Sequence, residues 1–379
     1  MVPSVNSIPI LDLTQQYATI EAEVSDVVLR VLASGGYIGG SQVLEFEQQF
    51  AAYIGVSNCV VCNSGTDALV LALRALEIGP GDEVITTPFT FFATAEVVSA
   101  VGAKPIFVDI DAQTFNLDIA QVETAIADKT KAIIPVHLFG QPVDMTALMA
   151  IAQAHQLAVI EDCAQATGAL WAEQKVGSIG HIGCFSFYPT KNLGACGDGG
   201  AVTTNNQAIA AKMRILRSHG EKSHYHHEEI GLNSRLDALQ AAILQIKLRY
   251  LDTWNEKRRA IAARYHKLLS HIPGIITPQE VAGGQGVWNQ YTIRIQRSET
   301  GNYRDQLRQM LQERGVGSMV YYPRPLHLQP VYKDLGYHLG QFPVAEQACY
   351  EVLSLPMFPE LSIEQQEQVI YCLKDCLTN

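Results

Sequence analysis

Four stretches of this chain combine residue types that chemistry on small anionic molecules requires. In Asn63-Ser64-Gly65-Thr66-Asp67-Ala68-Leu69 a glycine sits between two hydroxyls where an apolar run gives way to a helical pattern. Free backbone N–H groups and the helix dipole make such a junction an anion site; an ordinary Ser or Thr N-cap is the structural alternative. Glu161-Asp162 closes a second apolar run. A carboxylate taken out of water there needs a cationic or donor partner, unless it only turns the chain at a strand end. The stretch Ser186-Phe187-Tyr188-Pro189-Thr190-Lys191-Asn192-Leu193-Gly194, followed by Gly197-Asp198-Gly199-Gly200, holds one lysine in a glycine-rich loop. Partly desolvated, that amine serves as nucleophile or base; in water it is a plain surface charge. Gly231-Leu232-Asn233-Ser234-Arg235-Leu236-Asp237 opens a long helical pattern, with Asn233 as a candidate N-cap and Arg235 beside Asp237. None of the four decides a function alone.

The elements around them follow from hydrophobic periodicity. Strand-like runs at Asn58–Cys62, Glu83–Thr87, Pro105–Ile110, Ala132–Val136, Ala158–Glu161, Cys184–Phe187 and Ala201–Thr204 alternate with helical spacing such as Ala68, Leu69, Ala72, Leu73 and Leu76. That alternation predicts an α/β fold whose largely parallel central sheet is buried on both faces. From Ser234 to about Ser270 the pattern is helical without Pro or Gly, one long helix or two. A smaller C-terminal α/β region is expected from strands at Gln290–Ile295 and Ser318–Tyr321 and helices at Arg304–Glu313 and Ile363–Cys376. The division is residues 1–250, an N-terminal arm plus large domain, and 251–379, the small domain.

Taken in order, these motifs resemble the DegT/DnrJ/StrS family of pyridoxal-phosphate-dependent nucleotide-sugar aminotransferases. The resemblance runs from Leu11-Asp12-Leu13 to Leu355-Pro356-Met357 and includes Glu161-Asp162-Cys163-Ala164-Gln165, Gln240-Ala241-Ala242 and Tyr322-Pro323-Arg324-Pro325-Leu326-His327. It implies fold type I, the aspartate aminotransferase fold, with a seven-stranded, mostly parallel sheet in the large domain. It also implies a homodimer with shared active sites. Lys191 is similar to the lysine that carries pyridoxal 5'-phosphate, and Asp162 to the carboxylate that pairs with the pyridine nitrogen. Gln165 resembles a residue against the ring, Phe91 the aromatic that stacks on it, and Ser64, Gly65, Thr66 and Ser186 the phosphate cradle. Asn233 resembles a residue reaching the phosphate from the neighbouring subunit, and Arg235 one that meets the amino donor's carboxylate. The implied reaction moves an amino group from glutamate to a keto sugar, with Lys191 as the proton shuttle.

The acceptor half is carried by fewer residues. His219-Gly220-Glu221-Lys222-Ser223-His224-Tyr225-His226-His227 is rich in imidazole. Without a matching acidic or cysteine cluster it reads as a donor-rich loop near the sugar rather than a zinc site. Tyr225-His226-His227 before the Gly231–Asp237 motif resembles branches that aminate C3 of a 3-keto dTDP- or UDP-sugar; His226, Tyr321, Tyr322 and His327 are then the expected sugar contacts. The alternatives are a 4-keto nucleotide sugar, a keto-inositol, or a non-catalytic regulator on the same fold. A sugar 3-dehydratase of this fold carries histidine where this chain has Lys191.

The composition agrees with a large globular enzyme: 379 residues, 47% hydrophobic and 17% charged. A net charge of −11 argues against nucleic-acid binding. The first basic residue is Arg30, so no leader peptide is expected; no apolar run approaches the roughly 18 residues of a membrane span, and the location is read as cytoplasmic. The eight cysteines, including Cys59-Val60-Val61-Cys62, read as reduced core residues, with no metal site assigned. No G-x-G-x-x-G follows the first strand, which argues against hydride-transfer dinucleotide enzymes.

Overall fold

The computed structural model describes residues 7–296 and 303–378. Its central sheet has seven strands: β1 (Asn58–Cys62), β2 (Glu83–Thr86), β3 (Lys104–Phe107), β4 (Thr130–Ile133), β5 (Ala158–Asp162), β6 (Ile182–Ser186) and β7 (Gly200–Thr204). The order across the sheet is β1-β7-β6-β5-β4-β2-β3. Strands β2 to β6 pair in parallel, and β7 runs antiparallel to both neighbours, β6 and β1. The mostly parallel seven-stranded sheet read from the sequence is present, with strand ends shifted by a few residues.

Parallel neighbours need crossovers, and the crossovers bury both faces of the sheet. The relevant helices are α1 (Glu21–Ser34), α2 (Gly40–Ile54), α3 (Gly65–Ala75), α4 (Ala93–Ala100), α5 (Gln207–Leu216) and α6 (Ala238–Leu269). On β1, Cys59 and Val61 pack with Phe46, Phe50, Phe185, Phe187 and Leu244 from one side. Val60 and Cys62 pack with Leu69, Leu73, Val98 and Met213 from the other. This two-sided burial explains why the strands read as continuous apolar runs, and why the Cys59–Cys62 pair lies in the core.

Because β1, β2, β4, β5 and β6 point the same way, their C-terminal ends share one edge. That edge collects Ser64-Gly65 after β1, Phe89 to Phe91 after β2, Asp162 at the end of β5 and the Lys191 loop after β6. Ligand crevices in open parallel sheets lie outside this edge.

Helix α6 is a single helix of 32 residues and runs unbroken through position 250. Its first turns place Ala241, Leu244 and Leu251 against the sheet layer, and its last turns place Ile261, Tyr265 and Leu269 in a separate C-terminal core. That core surrounds an antiparallel sheet of β8 (Ile275–Ile276), β9 (Tyr291–Ile295) and β10 (Val352–Leu355). It is covered by α7 (Tyr303–Glu313) and α8 (Ile363–Thr378). The N-terminal arm crosses to it: Ile8 bridges to Val316 and is 1% exposed. The sequence-based division had grouped the arm with the large domain.

One expected strand is absent. Ser318–Tyr321 forms no strand; only Met319 exchanges backbone hydrogen bonds with Ser354. The chain then reaches Pro323 and Pro325, which lack the N–H groups needed to extend a ladder.

Phe50 is fully buried and meets Phe185 and Phe187 edge-on, at 5.0 and 5.3 Å between ring centroids. Phe50→Ala is expected to cost about 3–5 kcal/mol, read as a lower midpoint in thermal denaturation; an unchanged midpoint would show that α2 is not part of the sheet's cooperative core.

Candidate active site

The lysine loop leaves β6 at Ser186 and folds back on itself. Lys191 N–H donates to Tyr188 O at 2.9 Å, and Ala195 N–H to Phe187 O at 2.7 Å. Gly194 is required here, since a Cβ would lie 2.3 Å from Pro189 O. The tight loop turns Lys191 inward. The side chain is half-buried, and among the described residues its amine has no hydrogen-bond partner. Burial disfavours the ammonium and brings the pKa down to about 8, with the Asp162 carboxylate acting the other way. The sequence alternative of a solvated surface lysine does not describe this side chain.

Asp162 ends β5 and is 5% exposed. Its Oδ2 accepts from Thr94 Oγ1 at 2.9 Å and its Oδ1 from Ala164 N–H at 3.1 Å. Burial pushes its pKa up, while these two donors, Lys191 and His137 oppose that shift. Its neighbour Glu161 points to the other face of the strand. There it accepts from Gly177, Ile179 and Gly180 N–H and pairs with His137 Nε2. Glu161, His137 and Cys163 have ligating atoms close enough for a metal, but the carboxylate is already saturated. His137 Nδ1 is taken by Val143 N–H. Glu161 is a loop anchor; Asp162 is the carboxylate available to a ligand.

At the start of α3, Ser64 Oγ accepts from Asp67 N–H at 3.0 Å and Ser64 O from Ala68 N–H at 3.0 Å. The Gly65 and Thr66 N–H groups have no partner among the described residues. Ser186 closes in opposite them: a Cβ on Gly65 would lie 2.6 Å from Ser186 Cβ. Two free N–H groups, two hydroxyls and a helix N-terminus form an anion cradle.

Aromatic rings border the crevice. Phe91 is 60% exposed and lies 6.4 Å from the Tyr322 ring; Tyr321 lies 5.9 Å from Tyr322. Gln165 Oε1 accepts from Phe139 N–H at 2.6 Å, which orients its Nε2 to donate to Tyr322 Oη at 3.1 Å. Burial raises the Tyr322 phenol pKa, and Asp162 adds to the shift. Asp162, Gln165, Lys191, Phe91, Tyr321 and Tyr322 thus gather at the edge reached by the Ser64–Thr66 and Ser186 cradle.

The remaining candidates lie elsewhere in the single chain. Asn233 and Arg235 are exposed on a surface depression lined with Ile38, Asn63, Gly197, Asp198 and Asp237. His226 sits on an exposed hairpin, 4.0 Å from the Glu228 carboxylate. His327 departs most from its sequence-based placement. It is 1% exposed, pairs with Glu346 at 3.0 Å and packs edge-on to Phe342. Its neighbour Leu326 N–H is tied to Pro88 O, and Glu346 also accepts from Gly340 and Phe342 N–H. Sequence reasoning missed Thr94, whose hydroxyl braces Asp162, and Tyr188, a ring 52% exposed on the lysine loop. Thr94 carried no motif; Tyr188 lay inside the lysine motif.

Pyridoxal phosphate fits this donor set on structural grounds: an unpartnered, half-buried amine, a buried carboxylate without a formal ion-pair partner, and an anion cradle in which a Cβ at Gly65 would collide with Ser186. Gly65→Ala is accordingly expected to weaken pyridoxal-phosphate binding by ~10-fold or more through loss of charge-assisted N–H contacts, measured by titrating the cofactor-free chain. In that same chain Lys191 should become reactive to an amine reagent as pH rises through about 8, well below ordinary lysines, because burial penalises the charged form. Reactivity rising only near pH ~10 would contradict that burial.

The comparisons with known proteins agree with this geometry. The model of the DegT/DnrJ/EryC1/StrS aminotransferase family matches residues 18–374. A Geobacillus stearothermophilus protein called "Pleiotropic regulatory protein" is 52% identical over 96% of this chain and 97% of its own. The UDP-N-acetyl-3-dehydro-alpha-D-glucosamine 3-aminotransferase of Acidithiobacillus ferrooxidans is 47% identical over 98% of each chain. The crystal structure of S. venezuelae DesV in complex with a ketimine intermediate superposes with a TM-score of 0.94 at 44% identity, covering 97% of this chain and 98% of that one. The chain belongs to the DegT/DnrJ/EryC1/StrS aminotransferase family and is a pyridoxal-phosphate-dependent aminotransferase of fold type I.

Proposed function

We propose that this enzyme transfers the amino group of glutamate to the C3 ketone of a dTDP- or UDP-linked sugar, with Lys191 as its acid–base residue. The observation that carries the reading is the half-buried, unpartnered Lys191 amine beside Asp162. The choice of C3 is supported by the full-length relative named for 3-amination of a UDP sugar and by the Tyr225-His226-His227 stretch.

Bound pyridoxal phosphate supplies an electron sink for the carbanion formed next to the substrate nitrogen. The chain's own residues do the rest. Asp162 would hold the proton on the ring nitrogen, and Thr94 and Ala164 N–H keep its carboxylate in place. Gly65 and Thr66 N–H, with Ser64 and Ser186 hydroxyls, would hold the phosphate. Phe91 and Gln165 would flank the ring. Lys191, neutral in a substantial fraction near pH 8, removes the α-proton of the amino donor and later delivers a proton to the sugar carbon that receives nitrogen. Tyr321 and Tyr322 border the crevice on the side open to the sugar, and His226 would reach it from the exposed hairpin.

Arg235 and Asn233 face outward in the single chain, as residues donated to a partner's site do. Leu29, Leu32, Tyr37, Ile38 and Leu44 are exposed apolar residues on or beside α1 and α2. This surface supports a homodimer in which Asn233 reaches the partner's phosphate cradle and Arg235 its donor carboxylate. Among the described residues no helix is long and apolar enough to cross a membrane; a cytoplasmic location is part of the proposal.

The relative called a regulatory protein keeps a second reading in view: a regulator on the same fold. Incubation with glutamate and a panel of 3-keto and 4-keto dTDP- and UDP-sugars separates the two, with products identified by mass and NMR. A 3-amino product is expected; a 4-amino product overturns the C3 assignment, and no product from any sugar favours the regulator. Lys191→Ala should lower turnover by at least ~10²-fold while leaving the fold intact by circular dichroism.

A further inference from the structure

The loop carrying Lys191 is gripped from behind by three buried asparagines. Asn192 donates from Nδ2 to Asn255 Oδ1 at 2.7 Å and to Val287 O at 2.9 Å, and its Oδ1 accepts from Asn289 Nδ2 at 2.8 Å. Asn289 Nδ2 also reaches Thr190 O at 3.4 Å. Both chain neighbours of Lys191 are therefore tied to one amide. Asn255 continues the network to Thr167 O at 3.1 Å. The three side chains are 3%, 1% and 6% exposed respectively for Asn192, Asn255 and Asn289.

Two cations on α6 hold the surrounding backbone. Lys247 Nζ donates to Gly194 O at 2.6 Å, and Arg258 donates to the carbonyls of Trp288, Asn289 and Met357. The network thus has ends in different parts of the fold. Asn192 and Gly194 belong to the loop after β6, Asn255 and Arg258 to α6, and Val287 and Asn289 to the segment entering β9 of the C-terminal sheet. Apolar residues of similar size would fill this space without directional demands. Amides placed there lose buried hydrogen bonds if any one of them shifts; of their three side-chain oxygens only Asn289 Oδ1 has no partner among the described residues. The Lys191 amine itself has no hydrogen bond to hold it, so its position depends on the backbone on either side.

We propose that Asn192 and Asn289 are positioning residues: they fix the backbone flanking Lys191 and couple the placement of its amine to the seating of the C-terminal layer. The proposal rests on Lys191 being the reacting amine. It goes beyond that assignment by making two residues buried behind the lysine loop determinants of the rate.

The test uses Asn289→Leu, which keeps the side chain's size and removes its donor, and Asn289→Ser, which keeps a hydroxyl donor. Lys191 labelling against pH is measured in the cofactor-free chain, kcat and KM for glutamate in the holoenzyme, and Tm in both. In Asn289→Leu the labelling midpoint is expected to rise by about one unit as water gains access, and kcat to fall ~10- to 100-fold with KM within about twofold. Asn289→Ser recovers part of both. An Asn289→Leu enzyme that keeps midpoint and kcat overturns the proposal, as does a kcat loss accounted for by the unfolded fraction with the midpoint unmoved. If the Leu chain does not fold, Asn192→Ala is read by the same measurements. The labelling midpoint needs no turnover, so failure of the coupling is distinguishable from failure of Lys191 as the acid–base residue.

Discussion

Keeping one amine and one carboxylate out of water at the same sheet edge is the constraint around which this fold is arranged. Desolvation lowers the pKa of Lys191 and raises that of Asp162, and each charge opposes the other's shift without reversing it. Left alone, such a pair is a liability, because buried groups of this kind destabilise a fold unless they are held and partnered. The chain meets the demand with neutral donors: Thr94 and Ala164 N–H on Asp162, and a tight backbone turn closed at Gly194 around Lys191. An amine with no partner of its own is chemically useful, since nothing in the protein competes for its lone pair.

The parallel sheet makes this affordable in structural terms. Strands sealed on both faces by α2 and α6 on one side and α3 to α5 on the other leave little freedom for their ends. The Phe46, Phe50, Phe185 and Phe187 cluster secures β6 directly below the lysine loop. Helix α6 then links this layer to the C-terminal core through Lys247, Asn255 and Arg258. Burial of a lysine and an arginine on one helix, each donating to backbone carbonyls, indicates that α6 organises backbone rather than simply covering apolar surface.

Much of this was legible in the residues. Continuous apolar runs such as Val159-Ile160 marked strands buried on both faces, and the motifs at Ser64–Thr66, Asp162 and Lys191 marked strand ends that meet in the structure. What was not legible depended on tertiary partners. Ser318–Tyr321 has strand-like composition, yet the following prolines and a single pairing to Ser354 prevent a strand. His327 reads as a polar group beside a motif; its inward turn toward Glu346 follows from a contact between segments far apart in sequence. Thr94 and the three asparagines carry no local signature, because their roles arise only when β5, α6 and the β9 approach are brought together. Asn233 and Arg235 face outward, on a depression they share with Asp198 and Asp237, and the motif that carries them gives no sign of that exposure.

The most direct measurement is chemical. Borohydride treatment of the protein with pyridoxal phosphate bound fixes any lysine-attached cofactor as a stable pyridoxyl amine, which peptide mass mapping then locates. The account predicts the pyridoxyl mass on Lys191 and its absence when glutamate is added before the reductant. A label on another lysine, or none on Lys191 in the untreated holoenzyme, would contradict it.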